Sequence, residues 1–416
     1  MCEVMTKART LIIADDLTGA NDTAIQFRKH GFSTLVVTGI TQADKCLFND
    51  YDVVSINSDS RRMYPDDAYR VVHDTVKVFD AGNNGSIVYK KIDSLLRGNP
   101  GQELAAVMDA LDSPLALVAP AFPANHSILE NGRLPSGLDV VRIFAAGSGR
   151  KTENIPIDTI RKGATFIVTF IQSRISIGTQ IFVADAVSDN NLKTIYHASL
   201  NLTKAHVLAG SAGLANQVAC NQGQTEDVNE KLTIIPPTLV VAGSRQAVTA
   251  MQLLLLSDHL STPFIRLNVS LIVKGKSDEA IENAFVEAAE HIHHANPVCI
   301  IILENLFDEK IADQHLTERE KTGIAIADAL GMLTKKLLDN FHFSLLVGIG
   351  GDTSMGICRH AGIAEIEPVE ELYPGIPLAK IVGGINDGRY MITKSGRFGK
   401  PYTLINIFKR LGLYDE

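Results

Sequence analysis

The stretch Ile12-Ile13-Ala14-Asp15-Asp16-Leu17-Thr18-Gly19-Ala20-Asn21-Asp22 runs from an apolar segment into two adjacent carboxylates and then a Thr-Gly step. An apolar, β-branched run without polar alternation, here Thr10–Ala14, suits a strand covered on both faces. The Thr-Gly step reads as a turn, with helical spacing after it over Asp22–His30. Strand, polar turn and helix in succession form the repeating unit of a parallel sheet.

The unit recurs along the chain. Strands are expected at Thr34–Thr38, Asp52–Ile56, Ser86–Lys90, Leu115–Ala119, Ile181–Ala184 and Val207–Ala209, then at Thr238–Ala242, Val298–Leu303 and Leu345–Ile349. Helices are expected at Pro65–Val78, Gly101–Leu111, Ala247–Leu256, Ser277–His293 and Ala325–Asn340. The fold class is therefore α/β, in two domains that are each an open, mostly parallel sheet with helices on both faces. A chain of 416 residues exceeds one ordinary core. The polar, charged stretch Asn221–Pro237 closes on a proline pair before a fresh strand and marks the boundary. We place the N-terminal domain at 1–225, a linker at 226–237 and the C-terminal domain at 238–416.

Hydrophobic residues make up 45% and charged residues 21%, an ordinary globular balance. A net charge of −8 argues against a general nucleic-acid binder, whose affinity comes from clustered Lys and Arg. The five cysteines form no CxxC pair, so neither a zinc site nor a disulfide framework is expected, and a reducing compartment fits. Only four apolar residues precede Asp15 after the basic residues near the N-terminus, too few for a signal-peptide core. With no run long enough to span a bilayer, the expected setting is cytoplasmic, and the expected partner is a small molecule rather than a membrane.

Ligands of open α/β sheets bind at the carboxyl ends of strands, so the residues directly after each strand carry the functional reading. Asp15 and Asp16 suit a general base or a hydroxyl ligand, with helix capping as the alternative; Asp22 reads as a first-turn helix residue. In Asn57-Ser58-Asp59-Ser60-Arg61-Arg62, Arg61 can grip a carboxylate through two parallel hydrogen bonds, while Arg62 reads as a solvated loop residue. The segment Tyr89-Lys90-Lys91-Ile92-Asp93-Ser94-Leu95-Leu96-Arg97-Gly98-Asn99 crowds charge of both signs at a strand exit. Alternation puts Lys90 and Ile92 on one face and Lys91 and Asp93 on the other. Such charge is costly unless paired or solvated, which points to a site. Ala119–His126 forms a proline-stiffened loop on which His126 is either a ligand contact or solvated.

In the second half, Gly348-Ile349-Gly350-Gly351-Asp352-Thr353-Ser354-Met355-Gly356 leads a strand through glycines into a helix. Backbone N–H groups and the helix N-terminus there favour phosphate. It is neither a P-loop nor a GxGxxG fingerprint, because Thr353 stands at the last glycine. Ala242-Gly243-Ser244-Arg245-Gln246 and Lys394-Ser395-Gly396-Arg397-Phe398-Gly399 follow the same logic, whereas Gly210–Gly213 reads as a structural turn. His291 and His294 read as a polar helix end, not a metal site.

Taken together, Ala14-Asp15-Asp16-Leu17-Thr18-Gly19-Ala20, Ser60-Arg61, Lys91-Ile92-Asp93-Ser94, Leu96-Arg97-Gly98-Asn99, Gly210–Ala215, Gly243-Ser244, Gly350–Thr353 and Lys394-Ser395-Gly396 resemble the four-carbon acid sugar kinases. Val118–Asn125 resembles the D-threonate kinase branch more than the 3-oxo-tetronate branch. The resemblance implies a sugar-acid-binding N-terminal domain, a nucleotide-binding C-terminal domain, ATP and Mg²⁺, and transfer of the γ-phosphoryl group to the C4 hydroxyl. It implies acid binding by Asp15, Asp16, Arg61 and Lys90, Lys91, Ile92, Asp93, Ser94, with Asp15 or Asp93 orienting or deprotonating the hydroxyl. Ser244, Gly350, Gly351, Asp352, Thr353 and Gly396 would bind the nucleotide; on mechanistic grounds we further expect Asp352 to help position Mg²⁺. Leu95 stands where the family commonly has Thr, and Arg397 where a third glycine is common. D-erythronate, 3-oxo-tetronate or another short acid are the substrate alternatives; a nucleotide-dependent dehydrogenase and a non-catalytic two-domain binding protein are the alternatives of other classes. A homodimer is the base-rate expectation.

Overall fold

In the computed structural model, which describes residues 10–40, 50–79, 87–223, 234–294, 296–307 and 316–413, the apolar runs form strands buried over nearly their whole length. The chain divides into two compact units, Met1–Val228 and Asn229–Glu416. Residues 224–233, within the boundary stretch Asn221–Pro237, lie outside the described residues. Asn221 and Gln222, read as part of the boundary stretch, instead close the helix Ala212–Gln222.

The N-terminal unit contains β1 (Thr10–Ala14), β2 (Thr34–Val37), β3 (Val53–Asn57), β4 (Ile87–Lys91), β5 (Leu115–Ala119), β6 (Thr152–Ile155), β7 (Ile181–Ala184) and β8 (His206–Gly210). Their order is β2-β3-β1-β4-β8-β5-β7-β6, and every pairing is parallel. From β1 the chain builds β2 and β3 on one side and then crosses to β4 on the other. That reversal opens a crevice between β1 and β4 at their carboxyl ends, where ligands of such sheets sit.

The helix after β1 spans Leu17–Arg28, not Asp22–His30. Asp16 caps it: its Oδ1 accepts the Gly19 N–H at 2.9 Å. A side-chain cap therefore starts the helix directly after the carboxylate pair, and Thr18-Gly19 falls inside the first turn. A Cβ on Gly19 would lie 2.7 Å from Asp16 Oδ1 and 2.8 Å from Lys91 Nζ, so one of these side-chain ends would have to shift.

The C-terminal unit contains β9 (Thr238–Ala242), β10 (Phe264–Leu267), β11 (Val298–Leu303), β12 (Leu345–Ile349), β13 (Glu365–Tyr373), β14 (Ile376–Val382) and β15 (Tyr390–Lys394). The run β10-β11-β9-β12-β15 is parallel, and β14 and β13 extend it antiparallel. Here the reversal lies between β9 and β12. Glycine turns follow both strands, and the helices Ala247–Leu260 and Gly351–Ala361 leave from them.

Candidate active site

At the carboxyl edge of the first sheet, neighbouring strands β3, β1 and β4 deliver three polar exits side by side. Arg61, beyond β3, donates from Nε to Asp15 Oδ2 at 2.6 Å and from Nη2 to Asp15 Oδ1 at 2.9 Å. Its Nη1 donates to Asp16 Oδ2 at 2.5 Å. Asp93, beyond β4, accepts from Arg97 Nε at 2.7 Å and Nη2 at 2.8 Å, and from the Arg97 backbone N–H at 3.1 Å. Its Oδ1 stands 3.8 Å from Arg61 Nη2. The crevice thus holds three carboxylates interleaved with guanidinium groups.

These neighbours split the acidities of the two adjacent aspartates. Burial alone raises both. At Asp15 the Arg61 guanidinium, with Lys90 and Lys91, overcomes that and leaves the carboxyl below its ordinary value. At Asp16 burial prevails over Arg61, reinforced by the like charges of Asp15 and Asp93, and the carboxyl stays raised. For Asp93, burial is outweighed by the Arg97 hydrogen bonds and by Arg61, which hold it well below the usual carboxylate range. Asp16 is therefore the most basic of the three.

The two lysines of β4 have different fates, as alternation requires. Lys90 is 0% exposed and pairs with Glu103 Oε2 at 2.8 Å. It also donates to the main-chain carbonyls of Lys91 at 2.8 Å and Ile13 at 3.3 Å. A ligand finds no surface on it, so its expected contact with the acid becomes a correction: Lys90 is interior framework. Lys91, on the other face, is 4% exposed, and its ammonium makes no hydrogen bond or salt bridge among the described residues. Ile92 is buried and donates its N–H to Gly210 O at 2.8 Å. Ser94 is half-buried, and its carbonyl accepts from Ser127 Oγ at 3.1 Å. His126 is exposed, in the left-handed region (φ 59°) at the end of a short turn.

In the C-terminal unit the three glycine turns interlock. The N–H groups of Gly243 and Ser244 donate to Ile349 O at 3.2 and 3.3 Å, and Gly350 N–H donates to Lys394 O at 2.8 Å. Gly350 holds φ 116°, a conformation that side chains resist. Gly396 O accepts from Thr249 Oγ1 at 2.8 Å, and a Cβ on Gly396 would lie 1.9 Å from Ser244 Oγ. Thr353 is buried against Gly243, whereas Asp352 is exposed in the first turn of the helix Gly351–Ala361. Ser244, Gly350, Gly351, Thr353 and Gly396 are so gathered at one sheet edge. Close backbone approach and a helix N-terminus are what a polyphosphate requires.

Two residues escape the sequence reading of roles. Arg97 enters it only within a motif, yet it occupies both oxygens of Asp93. Glu103 lies inside the helix Pro100–Ala110, where an acid near the N-terminus passes for a dipole-favouring residue. The available signal was Lys90 itself, a lysine within a doubly covered strand, which demands a carboxylate partner.

Comparison with known proteins agrees with this division. Residues 10–138 and 135–218 match a family described as "Sugar-binding N-terminal domain", and residues 239–404 match "Nucleotide-binding C-terminal domain". The chain is 29% identical to a D-erythronate kinase of Heliobacterium modesticaldum, over 94% of both chains. It is 28% identical to a D-threonate kinase of Salmonella typhimurium, over 95% of this chain and 96% of the relative. It is also 28% identical to a 3-oxo-tetronate kinase of Pseudomonas savastanoi pv. phaseolicola, over 98% and 99%. Among solved structures, a Salmonella typhimurium protein described as a putative tRNA synthase superposes with a TM-score of 0.78 at 20% identity, covering 97% of this chain and 99% of that one. A Haemophilus influenzae protein superposes with a TM-score of 0.67 at 22% identity, covering 96% and 100%. These two likenesses speak to fold.

Proposed function

The chain belongs to the four-carbon acid sugar kinase family and is a phosphotransferase acting on four-carbon sugar acids; on that premise we propose that it phosphorylates D-threonate at the C4 hydroxyl, using ATP and Mg²⁺. Membership removes the dehydrogenase and the non-catalytic binding protein from consideration. D-erythronate and 3-oxo-tetronate stay as the rival acceptors, since relatives bearing each name are about equally similar.

The observation that carries the reading is Lys91, a nearly buried cation whose ammonium makes no hydrogen bond or salt bridge among the described residues, set in the field of Asp15, Asp16 and Asp93. A sugar acid has a carboxylate at one end and hydroxyls at the other. The Lys91 ammonium suits the carboxylate; Asp15 and Asp16 suit the hydroxyls. Arg61 fixes both aspartates and retains two of its five N–H donors for the acid. We assign proton acceptance to the Asp15–Asp16 pair, with Asp16 the more basic partner. Asp93, whose two oxygens are both taken by Arg97, we assign to orienting Arg97 and not to proton acceptance.

On the nucleotide side, the N-terminus of the helix Gly351–Ala361, the backbone at Gly396 and the hydroxyls of Ser244 and Thr353 receive the phosphates. No group of three or more His, Cys, Asp or Glu side chains suited to a metal gathers among the described residues. Mg²⁺ is ordinarily held through substrate phosphates, water and one or two carboxylates, and Asp352, in the first turn of the helix, is the carboxylate we assign to it. Such an ion would neutralise phosphate charge during transfer, beside Asp352 and the glycine turns. Coupled ADP release with D-threonate, D-erythronate, L-threonate and 3-oxo-tetronate tests the assignment. The highest kcat/KM is expected with D-threonate; a higher value for another acid keeps the kinase and discards this acceptor.

A further inference from the structure

We infer that the buried Glu103–Lys90 pair is a positioning unit for the sugar-acid half of the reaction, setting the Ser60–Arg61 turn and the Lys91 strand exit without touching the ligand. This rests on the kinase reading of the same crevice.

Glu103 reaches two strands at once. Its Oε1 accepts from Ser60 Oγ at 2.7 Å, and its Oε2 pairs with Lys90 Nζ at 2.8 Å. Ser60 Oγ lies 2.8 Å from Ser58 Oγ, which donates to Ala14 O at 2.8 Å. Lys90 Nζ continues the chain to Ile13 O and Lys91 O. The ends of β1, β3 and β4 are thus tied through one carboxylate on the helix Pro100–Ala110. From the other side, Asn99 Nδ2 donates to Ser60 O at 3.3 Å and Met63 O at 2.9 Å. Gly98 packs so closely on Arg61 that a Cβ would meet its Cα at 3.3 Å. The residue next to Ser60 is Arg61, which orients Asp15 and Asp16; the residue next to Lys90 is Lys91. Glu103 and Lys90 are each at most 2% exposed, so both act through those neighbours.

A buried ion pair is poor evidence of stabilisation, because apolar replacement of both partners is often neutral. That separates the two roles a pair here can have. In the full chain, Lys90→Met with Glu103→Leu removes both charges together, and Ser60 loses its acceptor. The assay uses whichever four-carbon acid the wild type turns over fastest, so an error about D-threonate does not enter. We expect the urea midpoint of the double variant to stay within about 10% of wild type, KM for the acid to rise at least tenfold and KM for ATP to stay within twofold. Ser60→Ala, which keeps the ion pair, is expected to raise the acid KM several-fold and serves if the double variant does not fold. Wild-type acid KM in a stable double variant, or in Ser60→Ala, overturns the proposal and leaves the pair as packing alone.

Discussion

Arg61 presents the Nε–Nη2 edge of its guanidinium to both carboxylate oxygens of Asp15, at 2.6 and 2.9 Å, across the exits of two neighbouring strands. The parallel register of β1 and β3, with Ala14 opposite Asn57, brings the two residues to the same edge. A third donor reaches Asp16, so a single planar group sets the direction of two carboxylates. A point charge cannot do this.

Arg61→Lys is therefore expected to fail as a conservative change. It keeps the charge and loses the fork. Loss of one charge-assisted hydrogen bond of about 1.5–3 kcal/mol corresponds to a fall in kcat/KM for the acid of roughly 10- to 150-fold. Nucleotide affinity, measured by calorimetry with ADP, should stay within twofold. A comparable loss in ADP affinity would contradict the assignment of acid and nucleotide to different units.

Gly396→Ala probes the opposite unit. Its new Cβ would lie 1.9 Å from Ser244 Oγ and 2.9 Å from Ser244 Cβ, so Ser244 itself must move. We expect KM for ATP to rise about tenfold or more, equivalent to about 1.4 kcal/mol, with the acid KM unchanged. Steady-state kinetics with each substrate varied in turn reads both quantities.

Lys394 gives a pH signature. It is 0% exposed, its Nζ donates to Ser395 O at 3.1 Å, and burial pulls its pKa from 10.5 down to about 7. Between those values the unfolded chain holds a proton that the folded chain has lost, so this residue's contribution to stability rises with pH across the window. Below about pH 7 the folded chain carries the buried charge at its full cost. Lys394→Met has no such dependence. The stability difference between wild type and Lys394→Met, from urea unfolding at pH 7 and 9, should shift in favour of wild type by about 1.4 kcal/mol per pH unit. A difference that does not change with pH would mean that Lys394 remains charged in the folded protein.

Much of this fold was legible because long apolar runs such as Leu115–Ala119 and Val298–Leu303 leave a parallel, doubly covered strand as the natural reading. The antiparallel β13–β14 pair was not. Glu365–Tyr373 mixes four glutamates and a proline into a strand with a half-exposed face, a composition that does not read as an apolar run. Thr152–Ile155 at the other sheet's edge escaped for the same reason. In the candidate site, alternation correctly separated Lys90 from Lys91, but it could not say which face was interior. That depended on Glu103, whose distance from Lys90 along the chain hides the pairing. Asp16 shows the converse: capping and a place in the crevice looked like alternatives, and its two oxygens serve both.

The most direct test of the account is the response of Lys91→Met to a substrate that lacks the carboxylate. With wild-type enzyme, kcat/KM for D-threonate over its uncharged amide should exceed about 10-fold, the value of one charge-assisted contact. In Lys91→Met that ratio should collapse toward one, because the ammonium that distinguishes acid from amide is gone. An undiminished preference for the acid in the variant would contradict the central claim that Lys91 reads the carboxylate.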